Sequence, residues 1–134
     1  MASSFFGREC FFVVPGAPVP KARVRTVVHA GRTMSFTPKK TRAYEKAVKT
    51  IAAAAWPHGP TGHPIKLALT FYCHNKVRRD IDNLCKSVLD PLNGIVYVDD
   101  SQIFYLLAQK FVDRTHPRVD IQITEVVSDP AATL

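Results

Sequence analysis

IKLALTFYCHNKVRRDIDNLCKSVLDPLNGIVYVDDSQIFYLLAQKFV, residues 65–112, decides how this chain folds. Residues 65–73 alternate, with Ile65, Leu67, Leu69 and Phe71 on one side, which predicts a central strand turned toward a core. Residues 74–79 follow as a basic loop. From Asp80–Asp82 onward the apolar positions Leu84 or Cys85, Val88, Leu89 and Leu92 recur at helical steps, predicting a helix that closes at Asn93 and Gly94. Pro91 removes a backbone hydrogen bond near its end and is expected to bend or shorten the last turn. Residues 95–98 read as a brief strand and 103–112 as a longer one.

Working outward, residues 10–14 form a β-branched and aromatic run that predicts another strand, bounded by Pro15 and Gly16. Pro15, Pro18 and Pro20 exclude helix from the next stretch and deliver Lys21, Arg23 and Arg25 at a spacing of two, on one side of an extended chain. A turn is expected at Ala30 and Gly31. Thr37 and Pro38 resemble an N-cap with proline at the first helical position, and the helix they open runs to about Ala55, with Tyr44, Ala47, Val48, Ile51, Ala52 and Ala55 inward. Residues 118–126 alternate as a last strand. The order of elements predicts an α+β fold: one two-layer domain over residues 1–126, a mixed sheet with two main helices on one face, and a flexible tail at 127–134.

Composition narrows the function classes. The chain has 134 residues and a net charge of +7. That charge is uneven: residues 1–66 sum to +9 and residues 67–134 to −2. A basic half suits a polyanion, although a solvated basic surface accounts for charge alone equally well. Cys10, Cys73 and Cys85 have neither the even count of a disulfide framework nor zinc spacing. No run reaches the ~20 apolar residues of a membrane span, and the N-terminus makes a poor signal peptide, so a cytoplasmic protein is expected. The scattered histidines form no HExxH, and Walker and serine-elbow motifs are absent.

The acids are concentrated. Asp80, Asp82, Asp90, Asp99 and Asp100 fall within residues 80–100 of this basic chain. Asp80 and Asp82 stand two apart where a loop enters a helix, Lys86 follows one turn after Asp82, and Asp99–Asp100 closes the segment. Each has an ordinary explanation: a helix cap or first-turn acid for Asp80 and Asp82, a turn for Asp99–Asp100, a surface ion pair for Lys86, a plain helix-face acid for Asp90. Together they fit what metal-assisted phosphodiester cleavage requires, carboxylates for a hard divalent cation and a positive donor near the phosphate.

Residues 80–103, DIDNLCKSVLDPLNGIVYVDDSQI, resemble the signature of the RusA family of Holliday junction resolvases, and GAPVPKARVR with FTPKKTRAYEKAV resembles its N-terminal half. The resemblance implies a Mg²⁺-dependent endodeoxyribonuclease, with Mn²⁺ a substitute, acting as a homodimer that makes paired nicks in four-way DNA junctions during recombination and repair, and one often encoded by phages. It implies metal binding by Asp80, Asp82 and Asp100 with Asp99 beside them, Lys86 as catalytic lysine, and DNA contacts from Lys76, Arg78, Arg79, Asn83 and the Lys21, Arg23, Arg25 segment. Pro91 departs from the helix former expected there. The alternatives are a non-catalytic nucleic-acid-binding module, and a flap or branched-DNA nuclease using the same site.

Overall fold

The computed structural model describes residues 5–22 and 25–127, so Arg23 and all but the first residue of the expected tail lie outside the described residues. Strand β1 (Phe6–Pro15) is followed by the hairpin β2 (Arg25–His29) and β3 (Arg32–Phe36), then helix α1 (Lys39–Ala55), β4 (Ile65–Cys73), α2 (Ile81–Leu92), a 3₁₀ turn (Asp100–Gln102), β5 (Ile103–Val112) and β6 (Arg118–Val126). The main sheet has the order β1-β6-β4-β5. β6 pairs antiparallel with both β1 and β4, whereas β4 and β5 run parallel and are joined through α2. This is the mixed α+β layer the sequence predicts.

Alternation along the strands builds the core. Ile65, Leu67, Leu69, Phe71 and Cys73 of β4, Val119, Ile121 and Ile123 of β6, and Phe12 and Val14 of β1 are buried together with Tyr44, Val48 and Ala52 of α1 and Leu84, Val88 and Leu92 of α2. Each fully buried aliphatic side chain contributes ~1.5–3 kcal/mol relative to exposure, so this stripe is what holds α2 against the sheet. The opposite sheet face is amphipathic and open. There Tyr72 stacks on Phe111 at 5.8 Å, and the Arg118 guanidinium lies 3.9 Å over the Tyr72 ring.

Four local expectations are revised. Pro38, at φ −53° and ψ 142°, occupies the N-cap position in place of Thr37, and no side chain caps the helix; Pro38 still supplies the first acceptor, to the Arg42 amide. Ala47 is exposed, because the buried stripe of α1 runs through Thr41, Tyr44, Val48 and Ala52. On α2, Ser87 and Pro91 are buried while Leu89 is half-buried, although the helix ends at Leu92 with Asn93 as its C-cap, where the sequence places its close. Residues 95–98 form no strand. Gly94, at φ 79°, turns the chain back, and Tyr97 is drawn inside, where its hydroxyl donates to the Leu89 carbonyl at 2.7 Å. Only isolated bridges, to Thr61 and Asn93, remain there.

The turn at Ala30–Gly31 is present, with φ of 52° and 75° at its two central residues. Positive φ at both positions matches the right-handed twist of the flanking strands. All three cysteines are free, with Cys73 and Cys85 buried. Burial, and then the neighbouring Glu9, raises the Cys10 thiol to about 11, which keeps it protonated and inert near neutral pH. Among the described residues no helix is long and apolar enough to cross a membrane.

Candidate active site

The parallel β4–α2–β5 unit sets the geometry. β4 ends at Cys73, the basic loop crosses the sheet end, and α2 descends antiparallel to its flanking strands. A crevice therefore opens outside the carboxyl ends of β4 and β5, the place where parallel strands with a helical crossover commonly bind ligands. Arg78, Arg79, Asp80, Ile81 and Asp82 line it together with residues 108–111 of β5, and Lys76 and Val77 line an adjoining cleft.

Asp80 holds the N-cap position of α2 in extended conformation, yet its side chain makes no capping hydrogen bond. The ordinary explanation for this acid is thereby removed. Its carbonyl accepts from the Leu84 amide at 3.1 Å, while its carboxylate faces the Arg78 guanidinium at 3.5 Å. Asp82 lies in the first turn and accepts from the Asn83 amide at 3.0 Å. Lys86 follows along the same helix face, and Asp82, Asn83, Lys86, Asp90 and Lys21 line one cleft.

The cationic side chains divide into two groups. Arg78 is 91% exposed and Lys76 is exposed. Arg79 instead ties its own loop, donating to the Asn75 and Val77 carbonyls and to the Asn75 side chain at 2.8–3.3 Å. Lys21 is similarly committed: its ammonium bridges Glu45 of α1 and Asp90 of α2, the latter at 3.2 Å, and its amide donates to the Asn83 carbonyl at 2.9 Å. Partial burial opposes its charge, but the hydrogen bonds to Glu45 and Asp90 prevail and it holds its proton more tightly than an ordinary lysine. Lys21 therefore anchors the proline-rich segment against α2, and Asp90 has a structural partner. Arg25 lies in β2.

Asp99 and Asp100 stand elsewhere. Asp99 caps the 3₁₀ turn, accepting from the Ser101 amide at 3.1 Å, and these hydrogen bonds hold its carboxyl below the usual range. The sequence reading missed the residue that positions this turn. Gln102 donates to the Thr61 and His63 carbonyls at 2.8 and 3.0 Å and accepts from the Val98 and Asp99 amides at 2.9 Å each. Its only sequence signal is its place in the Asp99-x-x-Gln102 capping box. Gln102→Ala is expected to lower unfolding stability by about 2 kcal/mol, as the loss of several partly exposed hydrogen bonds at the low end of ~0.5–1.5 kcal/mol each would, read as a fall in urea midpoint at unchanged slope.

The two acidic pairs consequently lie at opposite ends of the β4–α2–β5 unit. Asp80 and Asp82 sit by the C-terminal end of β5, where the Lys110 ammonium donates to the Arg79 carbonyl at 2.6 Å. Asp100 sits at the N-terminal end of β5, beside the start of β4. Between them runs α2, twelve residues long and about 18 Å at 1.5 Å per residue. Among the described residues no three carboxylates, histidines or cysteines come close enough to share a metal.

Comparison with known proteins bears on this arrangement. The family described as Endodeoxyribonuclease RusA matches residues 15–124. The chain belongs to the RusA family. It is similar to the uncharacterized protein YqaN of Bacillus subtilis (strain 168), at 28% identity over 86% of this chain and 95% of that protein. It is also similar to the crossover junction endodeoxyribonuclease rusA of Lactococcus phage r1t, at 38% identity over 47% of this chain and 56% of that protein. The RusA chain described here is thus a nuclease, which sets aside the non-catalytic binding module.

Proposed function

We propose that this protein resolves four-way DNA junctions by Mg²⁺-dependent hydrolysis, one nick in each of two symmetric strands, with Mn²⁺ able to replace Mg²⁺. The observation that carries the reading is the Asp80 carboxylate, which stands at the head of α2 without capping it, beside Asp82 and against exposed Arg78. Oxygen donors of this kind suit a small hard cation, which is commonly held by one or two carboxylates and completed by substrate phosphate. Asp80 and Asp82 would hold it, and the bound ion would supply an activated water and offset charge on the phosphate.

The remaining side chains act on the DNA. Lys76 and Arg78 bring the backbone phosphates to the crevice, where Arg78 also faces the Asp80 carboxylate at 3.5 Å. Lys86, one turn below Asp82, places its ammonium toward the phosphate or the departing oxygen. Asn83 adds an amide donor from the adjacent helix position. Residues 76–79 come from a loop that Arg79 braces internally, so these contacts are presented on a fixed frame.

The test is direct. The purified chain should nick a synthetic four-way junction in Mg²⁺, stop in EDTA, and leave linear duplex of the same sequence intact. A flap or single-stranded substrate cut in preference to the junction would reassign the substrate with the same residues. Absence of metal-dependent product across a panel of junction sequences would overturn the proposal.

A further inference from the structure

Three charged side chains share one face of α2. Asp82, Lys86 and Asp90 follow one another at steps of four, so Lys86 has a carboxylate one turn before it and another one turn after it. Spacing alone would let its ammonium pair with either. Among the described residues Lys86 pairs with neither, and it is exposed. Lys21 lines the same cleft as these three residues.

Lys21 has already taken one of the two acids. Its amide donates to the Asn83 carbonyl at 2.9 Å near the head of α2, and its ammonium reaches Asp90 at 3.2 Å as well as Glu45 of α1. From Asn83 to Asp90 is about 10 Å along the axis at 1.5 Å per residue, so the Lys21 side chain runs past the level of Lys86 to reach the acid beyond it. Asp90 lies in the last turn of α2, at the negative end of the helix dipole, and no basic residue of that turn offsets it. Without Lys21, the cation of its own helix within reach of Asp90 is Lys86, one turn back. Glu45, at 19% exposure the most buried member of the bridge, would repel Asp90 in the same direction.

We infer that Lys21 is a positioning residue for the proposed nuclease reaction: by holding Asp90 it leaves the Lys86 ammonium free for the DNA phosphate. The inference rests on the role proposed for Lys86 and adds a reason why that side chain is available. A plain tether between the proline-rich segment and the two helices would use the same contacts. The two roles part when Asp90 is neutralised. If Lys21 keeps Asp90 from Lys86, removing the acid removes the need for Lys21, whereas for a tether it removes one more attachment.

A rescue experiment on the full-length chain follows from this. In single-turnover cleavage of a four-way junction in Mg²⁺, Lys21→Gln should be slowed about tenfold, within reach of one uncompensated carboxylate a few ångströms from an ammonium. Asp90→Asn alone should stay within about twofold of wild type, as an exposed pair of this kind is worth little. Asp90→Asn added to Lys21→Gln should recover most of the lost rate, a coupling that independent sites do not show. A double variant as slow as Lys21→Gln, or slower, overturns the inference. Because Lys21→Gln leaves Glu45 unpaired and partly buried, the same pair of variants is also compared with Glu45→Gln present, where the same recovery is expected and its absence is equally decisive.

A second readout needs neither metal nor cleavage. Reductive methylation followed by mass spectrometry reports how freely each lysine amine reacts, and a carboxylate partner slows that reaction by favouring the charged form. Lys86 should react more slowly in Lys21→Gln than in wild type, and regain its wild-type rate in the double variant. Unchanged labelling of Lys86 beside normal wild-type cleavage overturns the positioning role alone. Wild type that nicks no junction overturns the nuclease reading, and this role with it.

Discussion

Replacing Asp82 with asparagine is expected to slow Mg²⁺-dependent junction nicking by about three orders of magnitude, or roughly 4 kcal/mol of transition-state stabilisation, while junction affinity stays within a few-fold. The substitution is nearly isosteric, and an asparagine oxygen can still accept from the Asn83 amide as the carboxylate does at 3.0 Å. The first turn of α2 is therefore preserved and only the charge is removed. Loss of one negative charge beside the basic loop disfavours a cation but does not weaken phosphate binding, so affinity and rate separate. Single-turnover cleavage in Mg²⁺, with gel-shift binding measured in EDTA, reads the two quantities independently. Cleavage within tenfold of wild type would remove Asp82 from the site. A matching fall in affinity would mean that the substitution acts through structure rather than through metal binding.

Much of the frame was legible because periodicity reports burial. The alternation of residues 65–73 and the stripe through Leu84, Val88 and Leu92 were read correctly, and both prove to be core. What the pattern omits is direction. Nothing in the spacing from Asp80 to Asp100 states that β4 and β5 run parallel, and it is this that forces α2 to return across the sheet and leaves the acidic pairs at its opposite ends. Residues 95–98 looked like a strand because apolar residues can be buried without a ladder, as Val96 and Tyr97 are.

Charge was legible in kind but not in employment. Lys21 was grouped with Arg23 and Arg25 as a DNA contact, yet it spends its ammonium on Glu45 and Asp90, acids distant in sequence that only the packing of α1 beside α2 brings within reach. Arg79 likewise serves its loop. The motif marks the segment proposed to carry the chemistry, and the structure separates its exposed cations, Lys76 and Arg78, from Lys21 and Arg79, which are tied to neighbouring groups.

Leu84→Ala is expected to cost about 3 kcal/mol, within the ~2–5 kcal/mol seen when a buried leucine is truncated, and to lower Tm by about 10 °C. Leu84 is fully buried, and its amide makes the α2 hydrogen bond that reaches back to Asp80, so one residue couples the core to the head of the site. The neighbouring Ile81, 38% exposed on the same turn, provides the control. Ile81→Ala should cost less, about 1 kcal/mol, because part of that side chain stays in water in the folded protein and no closed cavity is left. Thermal denaturation of both variants measures this difference. Well below its melting temperature, Leu84→Ala should still bind junction DNA through Lys76 and Arg78, whose loop does not depend on the cavity. Its cleavage rate should fall more than its affinity, because metal-binding carboxylates lose function with small displacements while phosphate contacts from flexible cations do not. Equal losses of rate and affinity would show that the basic loop and the first turn of α2 move together, and that the core beneath Leu84 positions both.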